Sequence, residues 1–304
     1  MSQFTQKDMT RGDSFSASFS YLSEFIADAA VSALLAEVTA SPKPGLVDSV
    51  NNGAHTDMTW QTFADSAHAL RSYFLQCAKA GKTFRQEPAS LAPALRSFGM
   101  QAETAMYAAT GGVNTHKGAI FSMGILCAAV SAEGSADLSE IRKRCRSIAG
   151  ALLEKDTASC THGLAVREKT GVGGIRQEAL AGFPSAFEIG FPALETALSG
   201  TEKASDGTAD RPLSFNDALI YALLSIMSRT EDSNLVHRGG VEGMDFAQKE
   251  AKRLTESGPQ SLNLEAVEAL DREFIKRNLS PGGSADMLAF SAMLYYIKKG
   301  NNND

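Results

Sequence analysis

Residues 21–39 read YLSEFIADAAVSALLAEVT, and the spacing of Leu22, Phe25, Ile26, Ala29, Leu34 and Val38 draws a wide apolar stripe along one side of a 3.6-residue repeat. This predicts a long core helix. The same period returns over Thr59–Ala80, Leu91–Ala109, Ala119–Ala132, Leu138–Leu153, Phe215–Ser228, Val241–Leu254, Leu264–Arg277 and Ala285–Lys298, whereas alternating Val, Ile and Thr runs of strand type are nearly absent. The expected fold class is therefore all-α: a single compact multi-helix domain over residues 21–300, with polar interhelical loops converging on one active site. Residues 198–212, with Gly200, Gly207, Pro212 and many polar side chains, read as an exposed loop within that domain.

Outside these helices, composition narrows the function. With 43% hydrophobic residues and 21% charged residues, the 304-residue chain can bury a real core. No stretch reaches the roughly 20 apolar residues that span a bilayer. Residues 1–20 lack a basic start followed by an apolar core and read as a flexible tail on a cytoplasmic protein. Cys77, Cys127, Cys145 and Cys160 form no CxxC pair, which argues against a zinc or dithiol site and for buried thiols. A net charge of −6 opposes non-specific nucleic-acid binding, which needs many phosphates neutralised, but leaves room for a small anionic substrate met by a few local cations.

Four interhelical segments carry more unusual polar residues than connectors need. The first, Ser41-Pro-Lys-Pro-Gly-Leu-Val-Asp48, continues to Met58 through Asn51, Gly53, His55 and Asp57. Its prolines and Gly45 stop the first helix and fix a turn that would hold Lys43 and Asp48 in a set geometry, fit for a phosphate and its magnesium. A helix terminator with an Asp cap is the plainer account. The second, Thr110-Gly-Gly-Val-Asn-Thr-His-Lys-Gly118, leads into an apolar helix, so Gly112, Asn114, Thr115, His116, Lys117 and Gly118 have the physics of a phosphate cradle without the Walker A order. An ordinary Asn or Thr cap with a solvent-facing lysine would look similar.

The third segment, Thr230-Glu-Asp-Ser-Asn-Leu-Val-His-Arg-Gly-Gly240, reads as a connector. Asp232 and Asn234 would bind a metal or a ribose hydroxyl, and Arg238 a phosphate, unless Asp232 and Arg238 simply form a local ion pair. The fourth, Asn278-Leu-Ser-Pro-Gly-Gly-Ser-Ala-Asp286, places Gly282, Gly283, Ser284 and Asp286 at the start of the last helix, where an acidic residue also suits the helix dipole. None of the five histidines forms an HExxH or other close pair; His68 reads as packed or solvated and His162 as a site residue or a helix end at Gly163.

Pro42–Asp48 with Gly53–Met58, Gly112–Gly118 and Leu279–Asp286 resemble the signature segments of triphosphoribosyl-dephospho-coenzyme A synthases, with Asp232–Asn234 and Arg238–Gly240 similar to a fourth. The segments occur in the family's order and span about residues 37–290. The resemblance implies ATP and 3'-dephospho-coenzyme A as substrates, magnesium as cofactor, adenine as leaving group, and a product passed to a holo-acyl-carrier-protein transferase serving malonate decarboxylase or citrate lyase. Lys43, Lys117 and Arg238 would meet the triphosphate, with Gly45, Gly112, Asn114, Thr115, His116, Gly118, Asn234, Gly282, Gly283 and Ser284 lining the nucleotide. Asp48, Asp57, Asp232 and His55 are the catalytic candidates; Asp48, Asp57, Asp232 and Asp286 are the candidate magnesium ligands. His162, Arg176 and Glu178 lie in a middle segment that matches only loosely. A homodimer is compatible with the sequence, and no nucleic acid or membrane is expected as partner. Two other readings stay open at this point: a magnesium-dependent hydrolase of ADP-ribose linkages and a non-catalytic nucleotide-binding module.

Overall fold

The computed structural model describes residues 7–154, 173–199 and 212–300, and among them no strand occurs. Helix α1 spans Lys7–Thr39, so helical backbone begins well upstream of the apolar stripe at Tyr21. It is followed by α2 (Trp60–Ala69), α3 (Arg71–Thr83), α4 (Pro88–Ala109), α5 (Lys117–Glu133) and α6 (Leu138–Leu153). After residue 172 come α7 (Ile175–Leu180), a π-helical turn (Ser185–Gly190), α8 (Phe191–Ser199), α9 (Phe215–Met227), α10 (Ser233–Thr255), a 3₁₀ turn (Pro259–Ser261), α11 (Leu264–Lys276) and α12 (Gly282–Gly300). His162 and Cys160, and nearly all of the expected 198–212 loop, lie outside the described residues.

One continuous apolar core collects side chains from α1 through α12. At its centre runs α5, whose residues from Ser122 to Ala132 are all buried. An all-round apolar helix has no solvent face to present and can only be surrounded. Glycine permits the closest approach. A Cβ at Gly81 would stand 2.1 Å from the Ala128 carbonyl oxygen, and one at Gly124 would stand 1.9 Å from the Tyr73 hydroxyl, which itself donates to the Ile120 carbonyl at 2.8 Å. Helices α3 and α5 therefore cross almost backbone to backbone. Cys77, Cys127 and Cys145 are buried free thiols in this region, and burial pushes Cys77 up to about 12. Among the described residues, no helix is long and apolar enough to cross a membrane.

Three expected boundaries need correction. The predicted helix over Thr59–Ala80 is two helices, because Leu70 (φ −82°, ψ −8°) turns the chain between α2 and α3. The third polar segment is not a connector: Asp232 caps α10, and Asn234 and Arg238 ride on its first turns, before the chain kinks at Gly240 (φ 67°). Likewise Gly282, Gly283 and Ser284 already belong to α12, whose start the apolar pattern places at Ala285.

Candidate active site

The four polar segments meet through named contacts. Arg238 on α10 donates through Nη1 to the Ala54 carbonyl (2.9 Å) and to Asn278 Oδ1 (3.0 Å), which joins the third segment to the first and the fourth. Asp232 Oδ2 accepts from the backbone N–H and the hydroxyl of Ser284, at 2.8 and 2.9 Å, while Oδ1 accepts from the N–H groups of Asn234 and Leu235. One carboxylate thus caps the amino termini of α10 and α12 together. The second segment closes the ring. Asp286 reaches the amino terminus of α5, accepts from the Ala119 N–H, and lies so near that a Cβ at Gly118 would stand 1.9 Å from Asp286 Oδ2.

The first segment is built around its own carboxylate. Asp48 is buried, and Oδ1 accepts from the N–H groups of Val50 and Asn51, while Oδ2 accepts from Ser41 Oγ (2.8 Å) and the Lys43 N–H (3.1 Å). Asp271 on α11 holds the same loop from outside through the Gly45 N–H (2.8 Å) and Asn51 Nδ2 (3.0 Å). Asn216 on α9 fixes its start by accepting from the Ser41 N–H and donating to the Ser41 carbonyl. Gly45 (φ +68°) is required, because a Cβ there would meet the Leu279 carbonyl oxygen at 2.1 Å.

Lys43, a triphosphate candidate of the sequence, lies in the interior. Its side chain is fully buried, and its ammonium donates to the Glu37 carbonyl at 2.6 Å and pairs with the Glu37 carboxylate. Burial raises the pKa of Glu37 against the lowering by Lys43. Burial also raises Asp232, and it pushes Asp286 well up, assisted by the neighbouring charges of Glu37 and Asp232. Three carboxyl groups thus share this part of the interior with one buried lysine, and burial works against the ionised form of each.

His55 is held as a neutral ring. Arg238 Nη2 donates to Nδ1 at 3.2 Å, so Nε2 carries the proton and donates to Ser280 Oγ at 2.9 Å. Burial lowers its pKa, and Arg238 lowers it further against the opposing pull of Asp57. Asp57 is open, with 62% of its side chain exposed and Oδ1 3.9 Å from His55 Nδ1. His116 is buried, its Nδ1 lies 2.7 Å from Ser66 Oγ, and Thr115 Oγ1 donates to the same hydroxyl at 2.8 Å. The Ser66 hydroxyl is thereby directed onto Nδ1. Among the described residues His116 Nε2 has no hydrogen-bond partner, and burial with the nearby Lys43 charge brings its pKa down to about 3.

Gly112, Asn114 and Lys117 are exposed; Asn114 Oδ1 accepts from the Lys117 N–H, and Lys117 Nζ pairs with Glu103 at 2.8 Å. Asn234 is exposed, and a Cβ on Gly282 would meet its Nδ2 at 3.0 Å. His68 and His237 lie on helices at the surface, and Glu178 accepts from the Ser185 N–H beside the π-helical turn. Among the described residues no group of three or more His, Cys, Asp or Glu side chains is disposed to hold a metal ion. Asp48 and Asp232 have both oxygens occupied by protein donors, and Asp57 stands apart at the surface.

A protein-family model described as CitG, ATP:dephospho-CoA triphosphoribosyl transferase, matches residues 23–304. The chain belongs to this family. Curated members with similar sequences are a probable 2-(5''-triphosphoribosyl)-3'-dephosphocoenzyme-A synthase of Vibrio cholerae, 38% identical over 91% of this chain and 89% of the relative, and the synthase of Pectobacterium atrosepticum, 38% identical over 87% and 86%. That of Haemophilus ducreyi is 36% identical over 90% of each chain. No solved structure matches the chain.

In this transferase family member the sequence pattern missed Glu37, Ser66, Asn216, Asp271 and Ser280. Glu37 alone left a signal, since it falls three residues after Leu34 on the apolar stripe of α1, where a carboxylate has no reason to be unless paired. The others are ordinary polar residues on helices or turns, and their partners stand far away in sequence.

Proposed function

We propose that the protein transfers the triphosphoribosyl group of ATP to the 2'-hydroxyl of 3'-dephospho-coenzyme A with release of adenine. The bond from the ribosyl carbon to adenine N9 breaks, a bond from that carbon to the acceptor oxygen forms, and the proton the hydroxyl loses to a base is balanced by one that adenine gains as it departs. The observation that carries this reading is the meeting of Asp286, Glu37 and Asp232 with the glycine-rich start of α5. A transition state with oxocarbenium character at the sugar is favoured by buried carboxylates, while exposed donors at Gly112, Asn114 and Lys117 suit the phosphates. Inversion by direct displacement needs no covalent intermediate.

In this mechanism Asp57 takes the acceptor proton, being the carboxylate of the first segment whose oxygens are not committed to holding the loop. His55 has neither a free lone pair nor a tendency to protonate, so it orients rather than exchanges protons. Asp48 and Asp232 shape the loops. If magnesium enters with ATP, Asp286 is the candidate carboxylate that would help hold it, and the ion would supply neutralisation of the triphosphate charge. The product is the prosthetic-group precursor for malonate decarboxylase or citrate lyase, to be attached by a separate transferase.

The test is incubation with ATP, magnesium and 3'-dephospho-coenzyme A, with free adenine and acceptor mass followed by chromatography and mass spectrometry. Adenine appearing only with the acceptor, together with a triphosphoribosyl mass gain, supports the transfer. Adenine or ribose products formed from ADP-ribosylated substrates instead would move the assignment to a hydrolase, and ATP binding without any turnover to a binding module.

A further inference from the structure

Among the described residues Lys43 is a fully buried cation of the site, and although its segment resembles a family signature, its surroundings are those of a structural charge. Its side chain has no exposure, its ammonium bonds both the main-chain carbonyl and the carboxylate of Glu37, and its own N–H is bonded to Asp48. A triphosphate would have to displace two short contacts and open the end of α1 to reach it. Glu37 belongs to none of the loop segments. It is 5% exposed, Lys43 holds Oε1, and among the described residues no hydrogen bond is made to Oε2.

We propose that Lys43 is a positioning residue that does not meet the phosphates: it anchors Glu37, a further carboxylate of the site supplied by α1, beside Asp286. The inference rests on the transferase reading for what Glu37 serves, but not for the pairing itself. Removing one member of a buried pair strands the other charge, whereas replacing both with similar shapes is tolerated. A group that only positions the reacting sugar alters kcat, while a lost phosphate contact alters ATP affinity and KM.

The experiment compares Lys43→Met, Glu37→Gln and the double variant with the wild type by thermal melting, ATP titration calorimetry and steady-state adenine release. Lys43→Met is expected to lower Tm and to reduce kcat at least about tenfold, leaving ATP affinity and KM within about twofold. The double variant is expected to regain part of the lost Tm but not kcat. An ATP affinity reduced at least about tenfold in Lys43→Met, with Tm unchanged, overturns the proposal and returns Lys43 to the triphosphate. Additive Tm changes across the cycle overturn it as well. Neither melting nor titration needs turnover, so a wild type that releases no adenine refutes the transferase reading while the pairing is still decided.

Discussion

His116 gives the folded protein a pH dependence whose size follows from its surroundings. In the unfolded chain its imidazole titrates near 6.5, whereas in the fold burial and the Lys43 charge bring it down to about 3. Between these values the unfolded chain binds a proton that the folded chain refuses. Stability from this residue is present above the unfolded value and is lost as pH falls toward the folded one. Between pH 7 and pH 5 the loss comes to about 2 kcal/mol, on the order of a 30-fold change in the folding equilibrium. The raised carboxylates Glu37, Asp232, Asp271 and Asp286 act in the opposite sense, since a carboxyl with a raised folded value loses stability as pH rises. The measurement must therefore be a difference: urea unfolding at pH 7 and pH 5 for the wild type and for His116→Gln, which keeps an acceptor for Ser66 and does not titrate. The wild type should lose about 2 kcal/mol more than the variant over this interval. Equal losses in both would show that His116 accepts a proton in the fold and would refute the account of its burial.

Asp232→Ala should cost about 2–4 kcal/mol in urea unfolding, because it uncaps α10 and α12 at once and leaves buried donors; Asp232→Asn should recover part through its amide oxygen. Gly118→Ala places a methyl 1.9 Å from Asp286 Oδ2 and should reduce adenine release at least about tenfold while the chain still folds. Gly150→Ala, whose added Cβ meets nothing within 4 Å, is the matched control and should raise stability by about 0.5–1 kcal/mol in the same unfolding assay. Lys117→Ala breaks only a half-exposed pair with Glu103, so stability should change by less than about 1 kcal/mol, while ATP affinity measured by calorimetry falls roughly tenfold.

The helical class was legible because amphipathic periodicity repeats along the chain, and α6 begins and ends at the residues the pattern marks. The break at Leu70 was not, since no Gly or Pro stands there and the turn serves the burial of Leu70 itself. The starts of α10 and α12 were read too late because glycines interrupt the apolar period, while the Asp232 cap that fixes both is a contact across 52 residues. In the site, the segments were visible as composition, but which side chains remain open to a ligand depends on packing. Lys43 and Asp57 illustrate the divide: both are charged residues of the first segment, yet one is sealed against Glu37 and the other is mostly in solvent.

Leu279 abuts glycine on three sides: Gly45 at its carbonyl, and Gly239 and Gly243 at its methyl end, where added Cβ atoms would fall 2.3 and 2.9 Å from Cδ2. The Gly45 contact is with the main chain and holds for any residue at 279, whereas Gly239 and Gly243 limit the side chain that position 279 can carry. In a library randomised at 279, selection for activity should return leucine and, less often, the unbranched methionine, but not the β-branched isoleucine or valine, whose methyls stand too close to the backbone to pass between the glycines. Filling Gly239 or Gly243 with alanine should shift the survivors at 279 toward smaller residues, which makes this trio a place where a change harmful by itself becomes acceptable after another.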